Sequence, residues 1–130
     1  MKSIFKILAI ICIFVTSACA GFDGPTPEQI ANAYYGREMT NDECAKLSRQ
    51  EAQKILKDAP SAKYKYGVCR KSHMFLGGHG TLFGYIFPVE INAKNSFGGY
   101  TGYDLYYFVN RDGRVIARSK VGKYGVPTAF

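Results

Sequence analysis

Six apolar residues recur at every second position between residues 83 and 93, and this alternation constrains the fold more than any other feature of the sequence. They are Phe83, Tyr85, Phe87, Val89, Ile91 and Ala93. A period of two places all six side chains on one face of a single long strand. Such a half-buried strand belongs to a sheet that packs against another layer. Pro88 interrupts the strand and predicts either an edge position or a bulge at that point.

Three more strands are predicted from similar alternation, over residues 64–68, 103–110 and 114–120. Residues 111–113, Arg-Asp-Gly, join the last two strands, and Gly113 suits the positive φ of a tight hairpin turn. Val115 and Ala117 are predicted to share one face of the last strand. From Val121 onward the sequence predicts no regular structure.

Two helices are predicted before the strands, and both begin with a capping box. The segments Thr26-Pro27-Glu28-Gln29 and Thr40-Asn41-Asp42-Glu43 each place Gln or Glu three residues after a capping threonine. The first helix is predicted to be short and to stop by Gly36, and the second to continue to Pro60. The apolar stripe of the second helix consists of Cys44, Leu47, Ala52, Ile55 and Leu56.

Sequential helices followed by sequential strands are typical of an α+β fold. We therefore predict one domain over residues 21–130, in which two N-terminal helices pack on an antiparallel sheet of about four strands. About 110 residues are enough for one modest core.

Residues 1–20 have the layout of a secretory signal. Lys2 and Lys6 precede an unbroken apolar run over residues 7–15, and small residues follow. Nine apolar residues are too few to span a bilayer core of about 30 Å. The segment therefore predicts export.

Two ways of processing this signal are compatible with the sequence. Ala18 and Ala20 form an A-x-A site that would release a soluble periplasmic or secreted chain. Alternatively, residues 16–19, Thr-Ser-Ala-Cys, resemble a bacterial lipobox, in which Cys19 is lipidated, with palmitate among its acyl chains. The lipobox interpretation is favoured, and Ala20 after the cysteine favours the outer membrane, with the domain facing the periplasm or the surface.

Both interpretations leave Cys44 and Cys69 as the cysteines of the folded part. An even pair in an oxidising compartment predicts one disulfide. The enclosed loop of about 25 residues predicts a stabilisation of about 3–4 kcal/mol. No CxxC spacing or histidine cluster supports a metal site, so no metal and no cofactor is expected.

The positive charge is concentrated in the second half of the chain. Residues 60–130 hold ten lysines and arginines against three acids, whereas residues 20–59 are slightly acidic. A concentrated positive field favours an anionic partner. Because export excludes nucleic acid as a partner, we expect an envelope protein or an anionic envelope component, or else a merely solvated basic face.

Catalysis is not expected, although one catalytic alternative exists. His73 and His79 lie near a glycine-rich turn, and Glu90 or Asp104 would be the acidic partner of a small envelope hydrolase. No GxSxG, HExxH or phosphate-binding glycine loop is present in the sequence.

Residues 92–103, NAKNSFGGYTGY, combine turn-forming glycines with side chains suited to binding. Strand alternation leaves Tyr106 and Phe108 exposed unless another element covers them, and exposed tyrosines beside lysines are typical of interaction faces. The predicted binding residues are Asn92, Lys94, Asn95, Tyr100, Tyr103 and Tyr106.

Three segments resemble small, uncharacterised bacterial exported proteins and lipoproteins: PTPEQIANAYYG, LKDAPSAKY and FPVEINAKNSFGGYTGY. The resemblance implies an envelope protein and carries no active-site residues. The sequence therefore predicts a non-catalytic envelope lipoprotein that acts as a binding module. An immunity protein, or one that excludes phages or plasmids, is a narrower version of this prediction.

Overall fold

The computed structural model describes residues 24–122 and the backbone of residues 127–129. The predicted signal and Cys19 lie outside these residues. The elements are α1 (Pro27–Asn32), α2 (Asn41–Ile55), β1 (Lys63–Tyr66), β2 (Arg70–Phe75), β3 (Thr81–Asn92), β4 (Asp104–Arg111), β5 (Arg114–Val121) and β6 (Pro127–Ala129). Every strand pairing is antiparallel, which confirms the α+β class. No helix in the described part of the chain is long and apolar enough to cross a membrane.

Both predicted capping boxes are present. The Thr26 hydroxyl accepts from the Gln29 amide at 3.2 Å, and the Thr26 amide donates to the Gln29 side chain at 2.9 Å. Thr40 and Glu43 exchange the same two bonds at the start of α2. Each box satisfies donors that have no partner within the helix. α1 ends at Asn32 and α2 at Ile55, both earlier than predicted.

The sheet has six strands in five positions, in the order β1/β2, β3, β4, β5, β6. β1 and β2 lie along the same edge of β3, because Lys63–Tyr66 pair with Asn92–Val89 and Arg70–Phe75 pair with Ile86–Thr81. The two registers differ by one residue, so residues 67–69 form an irregularity between two parts of one edge. The prediction of about four strands missed both β2 and β6.

Pro88 faces this irregularity. β3 is an interior strand, so the predicted edge position is wrong, whereas the predicted bulge is correct. The Pro88 carbonyl accepts from the Gly67 amide at 2.8 Å, and the nitrogen of the same residue points to the same side of the strand. The missing N–H therefore falls where β1 and β2 are already interrupted. A Cβ on Gly67 would lie 2.5 Å from the Pro88 ring, so this contact requires glycine.

The hydrophobic core lies between one face of the sheet and α2. Phe87, Val89 and Ile91 of β3 are buried there, as the alternation predicts, together with Phe108 of β4. On α2 the buried residues are Cys44, Ser48 and Ala52. α1 buries no residue, so only one of the two helices packs on the sheet as predicted.

The hairpin between β4 and β5 forms as predicted, with positive φ at Asp112 (52°) and Gly113 (75°). Beyond it, Asn110 pairs with Val115 and Val109 pairs with Ala117. Ile116 is therefore an extra residue on β5. The prediction that Val115 and Ala117 share a face is wrong, because this bulge turns Val115 to the core and Ala117 to the opposite face.

The predicted disulfide between Cys44 and Cys69 is present, with the two Cα atoms 6.3 Å apart. It joins the buried face of α2 to the irregular segment between β1 and β2. The same segment is held by a second contact, since the Cys69 amide donates to the Asn41 side chain at 2.8 Å. The disulfide thus fixes the helix against the edge of the sheet.

Candidate functional site

The two ends of the sheet carry different structures. At the loop end, β3 passes into β4 through residues 93–103. At the hairpin end lie the turns at Gly77–His79 and residues 112–113, together with α1, because Pro25 and Gln29 line a groove with Thr81 and Phe83. β3 has 12 residues, so the two ends are about 40 Å apart.

The loop between β3 and β4 is ordered by its own hydrogen bonds. An isolated bridge pairs Lys94 with Tyr100, which closes residues 94–100 into a small hairpin. The Asn95 side-chain oxygen accepts from the amides of Phe97 (2.9 Å) and Gly99 (3.1 Å). We refer to residues 94–100 as the tip hairpin. Its backbone is fixed before any partner binds.

Two side chains attach this loop to the rest of the domain. The Tyr100 hydroxyl donates to the Ser61 carbonyl at 2.8 Å, and the Lys57 ammonium donates to the Ser96 hydroxyl at 2.6 Å. Both contacts lead to the segment between α2 and β1. The loop therefore cannot swing freely away from the sheet.

Three lysines lie over two partly exposed tyrosine rings at this end. The Nζ atoms of Lys63 and Lys94 are 4.5 Å and 5.7 Å from the centroid of the Tyr100 ring, and that of Lys65 is 4.0 Å from the Tyr103 ring. We call these five residues the lysine–tyrosine surface. Within the described part of the chain, none of the three lysines takes part in an ion pair.

Cation–π contacts position these ammonium groups without neutralising them. At exposed sites each contact contributes about 0.5–1 kcal/mol, which is enough to bias a lysine rotamer. The tyrosines remain 42% (Tyr100) and 39% (Tyr103) exposed. The surface therefore presents several oriented positive charges beside accessible aromatic rings, an arrangement that suits an anionic partner.

Of the six predicted binding residues, Lys94, Tyr100 and Tyr103 belong to this surface. Asn92 and Asn95 have a supporting role, because the Asn92 oxygen accepts from the Gly102 amide at 3.2 Å and the Asn95 oxygen holds the turn. Their side chains fix the loop in place. Lys63 and Lys65 were missed, although their alternation with tyrosines along β1 could have indicated them.

Tyr106 was assigned to the wrong face of the sheet. It is 8% exposed and packs in the core beside Phe108, which is fully buried. The even-numbered residues of β4 face α2, so the helix covers the side chains that were expected to be free. Next to Tyr106, Lys120 forms an ion pair with Asp104 at 2.7 Å, and the hydrogen bond from Lys120 to that carboxylate raises the lysine pKa.

Phe97 is the most exposed large apolar residue of the loop end and was not among the predicted binding residues. Its side chain is 96% exposed at the turn of the tip hairpin, more than any other large apolar residue in the described ranges. Its neighbours are small or polar: Ser96, Gly98 and Gly99. The sequence could have indicated this exposure, because Phe97 lies inside a turn sequence, Asn-Ser-Phe-Gly-Gly, in which no side chain reaches the core.

The hairpin end is held together by a polar cluster that has a structural role. The Asp112 carboxylate accepts from the Arg37 amide at 3.0 Å and from the Tyr34 hydroxyl at 2.9 Å, which lowers the pKa of Asp112 and raises that of Tyr34. Arg37 also pairs with Glu43 at 2.6 Å, and this hydrogen bond is the main reason that the pKa of Glu43 falls to about 2. These bonds fasten the segment between α1 and α2 to the β4–β5 hairpin.

The histidines do not meet the acids expected for hydrolysis. His73 pairs with Phe83, and Glu90 lies seven residues farther along β3, which is about 23 Å away. Asp104 pairs with Ile91, so it is still farther from His73 and faces the side of the sheet opposite to Glu90. Proton transfer requires hydrogen-bond reach, so neither carboxylate can serve these histidines. Residues 24–122 contain no group of three His, Cys, Asp or Glu side chains that could hold a metal ion.

No family model, curated protein or solved structure matches this chain. The residues at the loop end are therefore interpreted by their geometry and charge alone.

Proposed function

We propose that this protein is a non-catalytic binding module of a bacterial envelope, and that it holds an anionic envelope partner on the lysine–tyrosine surface. One observation carries the proposal. Three lysines without ion-pair partners in the described residues, two on β1 and one on the loop, are held over two accessible tyrosines of an ordered loop.

Preorganisation is the physical reason for choosing this surface. A partner that binds here meets lysine side chains already biased toward one orientation, so less conformational entropy is lost on binding. The positive charges steer an anionic partner, and their effect decreases with salt because exposed charges are screened. At the hairpin end Lys71 and Arg111 also lie over the rings of Tyr35 and Tyr34, but the carboxylates of Asp112 and Glu43 lie beside them and make that end less suited to an anionic partner.

We further propose that the chain is tethered by a lipid on Cys19 and faces the periplasm or the cell surface. The described chain begins beside α1, so such a tether would enter at the hairpin end and leave the loop end accessible. Labelling of growing cells with a clickable fatty acid tests the tether. Incorporation into the wild type, and its loss in Cys19→Ala, is the expected result. Equal labelling, or none in either strain, would contradict the lipidation.

The binding proposal is tested by charge removal at matched positions. The variant Lys63→Gln/Lys65→Gln/Lys94→Gln removes the ammonium groups of the surface and leaves the tyrosines in place. Lys71→Gln is the control, because Lys71 lies over the Tyr35 ring at 4.6 Å in the half of the sheet nearer the hairpin end. The full chain and both variants are immobilised, exposed to envelope extract at low and high salt, and compared for the material they retain.

We expect the wild type and Lys71→Gln to retain the same material at low salt and to lose it at high salt. The triple variant should retain little at either concentration. If the triple variant and the control retain equal amounts, the lysine–tyrosine surface is not the binding site and the proposal fails.

A further inference from the structure

Phe97 is exposed in a way that has no structural explanation. It is 96% exposed, and its side chain contributes nothing to the core or to the hydrogen bonds that hold the tip hairpin. A serine or asparagine at this position would allow the same turn. A single exposed apolar side chain is common on protein surfaces, but this one is carried on an ordered turn beside lysines, and that combination is suited to an interface between water and an apolar phase.

The surroundings of Phe97 distinguish a lipid surface from a protein pocket. Protein interfaces surround an aromatic anchor with further apolar contacts, but the chain neighbours of Phe97 are Ser96, Gly98 and Gly99, and the accessible rings of Tyr100 and Tyr103 lie under lysines. A bilayer requires no complementary shape. One aromatic side chain that enters the interfacial region adds to the attraction that basic residues beside it have for anionic phosphates.

The basic residues are in place around the tip. Lys94 begins the tip hairpin, Lys57 donates to Ser96 at 2.6 Å directly beside Phe97, and Lys63 lies over Tyr100 at its other end. Because the side chains next to Phe97 are small, its ring can lie deeper in the bilayer than the lysine ammonium groups. The ammonium groups would then lie at the level of the headgroups, where each basic residue strengthens binding to anionic lipid about fivefold.

We propose that the partner at the loop end is the surface of a bilayer that contains anionic phospholipid. Phe97 inserts between the headgroups, and Lys57, Lys63 and Lys94 bind their phosphates. This inference rests on the proposed function, since it assigns a partner class to the same surface. The inference adds Phe97 to the binding residues and states how deep each group lies. The Phe97 ring lies below the lipid phosphates, and the lysine ammonium groups lie level with the phosphates.

The geometry sets an orientation if Cys19 is also lipidated. From Cys19 to Pro25 the chain reaches at most about 20 Å, whereas the loop end lies about 40 Å from the hairpin end along β3. A molecule held in one bilayer at both ends would therefore have β3 inclined by less than about 30° from the membrane plane. The two contacts would together fix which face of the sheet is turned to the membrane.

The test uses a fluorescent reporter that is unique in this chain. The sequence contains no tryptophan, so Phe97→Trp in the full chain gives indole fluorescence from the tip alone. Gly78→Trp is the matched control, because Gly78 lies at the hairpin end, has ordinary backbone angles and has no atom within 4 Å of an added Cβ. Because the fluorescence reports only the surroundings of the introduced indole, membrane binding by the apolar N-terminal segment does not by itself give this signal.

Each protein is mixed with vesicles of phosphatidylcholine alone or of phosphatidylcholine with phosphatidylglycerol. On the anionic vesicles the emission of the Phe97→Trp protein should shift to shorter wavelength and become protected from an aqueous quencher, whereas that of the Gly78→Trp protein should not change. Combining Phe97→Trp with Lys63→Gln and Lys94→Gln should weaken the apparent affinity read at position 97 by roughly 25-fold. Lys71→Gln should leave this affinity unchanged.

If the indole at position 97 remains in water on anionic vesicles, or responds equally to neutral vesicles and without the lysines, the lipid inference is overturned. The proposed function is tested separately, by the retention of envelope material on the variant Lys63→Gln/Lys65→Gln/Lys94→Gln. If this variant retains less material than the wild type although position 97 does not enter lipid, the proposed function stands and the partner is a protein. If the variant retains as much as the wild type, the proposed function fails as well.

Discussion

The disulfide between Cys44 and Cys69 should provide a large share of the stability of this domain. Reduction of the wild-type protein is the cleanest perturbation, because it breaks the cross-link and leaves both sulfur atoms in place. Cys44 is fully buried on α2, and the enclosed loop has a sequence separation of 25 residues. Opening a loop of this length restores chain entropy to the unfolded state, which corresponds to about 3.5 kcal/mol at room temperature.

This loss is large relative to the marginal stability of a domain of about 100 residues. It corresponds to a decrease in melting temperature of roughly 15 to 25 °C. Thermal unfolding followed by circular dichroism, with and without a thiol reductant, measures the difference. Cys44→Ala/Cys69→Ala is the control, since reductant should leave its melting temperature unchanged. The variant itself should melt at or below the temperature of the reduced wild type, because it also removes buried sulfur.

Oxidised and reduced wild-type proteins that melt within about 2 °C of each other would refute this reasoning. In that case the cross-link does not restrict the unfolded chain, or the two sulfurs are not joined in the isolated protein. Counting free thiols before and after reduction separates these outcomes.

Three further predictions concern single residues. Tyr106→Ala should lower the free energy of unfolding by about 3–5 kcal/mol, because it empties a core position, whereas Tyr100→Ala should cost at most about 1–2 kcal/mol; urea titration compares the two, and equal losses would contradict the assigned faces. Glu43→Gln should make the free energy of unfolding depend less on pH between about pH 4.5 and 2. The folded pKa of Glu43, about 2, lies below its unfolded value, so its contribution to stability is present above about pH 4.5 and is lost as the pH falls toward 2. Unfolding midpoints measured between these pH values check this, and identical slopes in both proteins would disprove it. Gly67→Ala should lower the free energy of unfolding by about 1–3 kcal/mol, because the added methyl group would overlap the Pro88 ring. An unchanged free energy in the same urea assay would contradict this, since it would mean that the β1–β2 edge moves to accommodate the methyl group.

Local signals in the sequence determined much of the fold. Each capping box involves residues three positions apart, and the β4–β5 turn has positive φ at both central residues, which an Asp-Gly pair favours, so these features were readable from the chain itself. β3 was readable because its apolar face is buried along most of its length. The disulfide followed from counting cysteines and from the predicted export.

The errors arise where pairing between distant segments decides the outcome. β2 reads as a mixed sequence, Arg70–Phe75, and becomes a strand because β3 offers an unpaired edge next to it. The bulge at Ile116 has no local signature, yet it reverses the faces of the residues that follow. Tyr106 was misassigned for a similar reason, since alternation gives two faces but does not say which one a helix covers.

In the candidate site, too, some residues were predictable from the local sequence and others depend on the pairing of distant segments. Lys94, Tyr100 and Tyr103 were predicted from composition, whereas Lys63 and Lys65 join them only through the pairing of β1 with the end of β3. Phe97 could have been noticed in the sequence, because an aromatic residue in a glycine-rich turn has no core to enter. Its exposure becomes informative only once the turn is known to be fixed by Asn95.

Site-specific photo-cross-linking in living cells tests the central claim most directly, which is that the loop end of the sheet is the binding surface. A benzophenone amino acid replaces Phe97 in one strain and Gly78 in the other, both exposed in the described structure and about 40 Å apart. Adducts that form on irradiation from position 97, and are absent from position 78, are the predicted result. Adducts that form equally from both positions, or only from position 78, would contradict the claim.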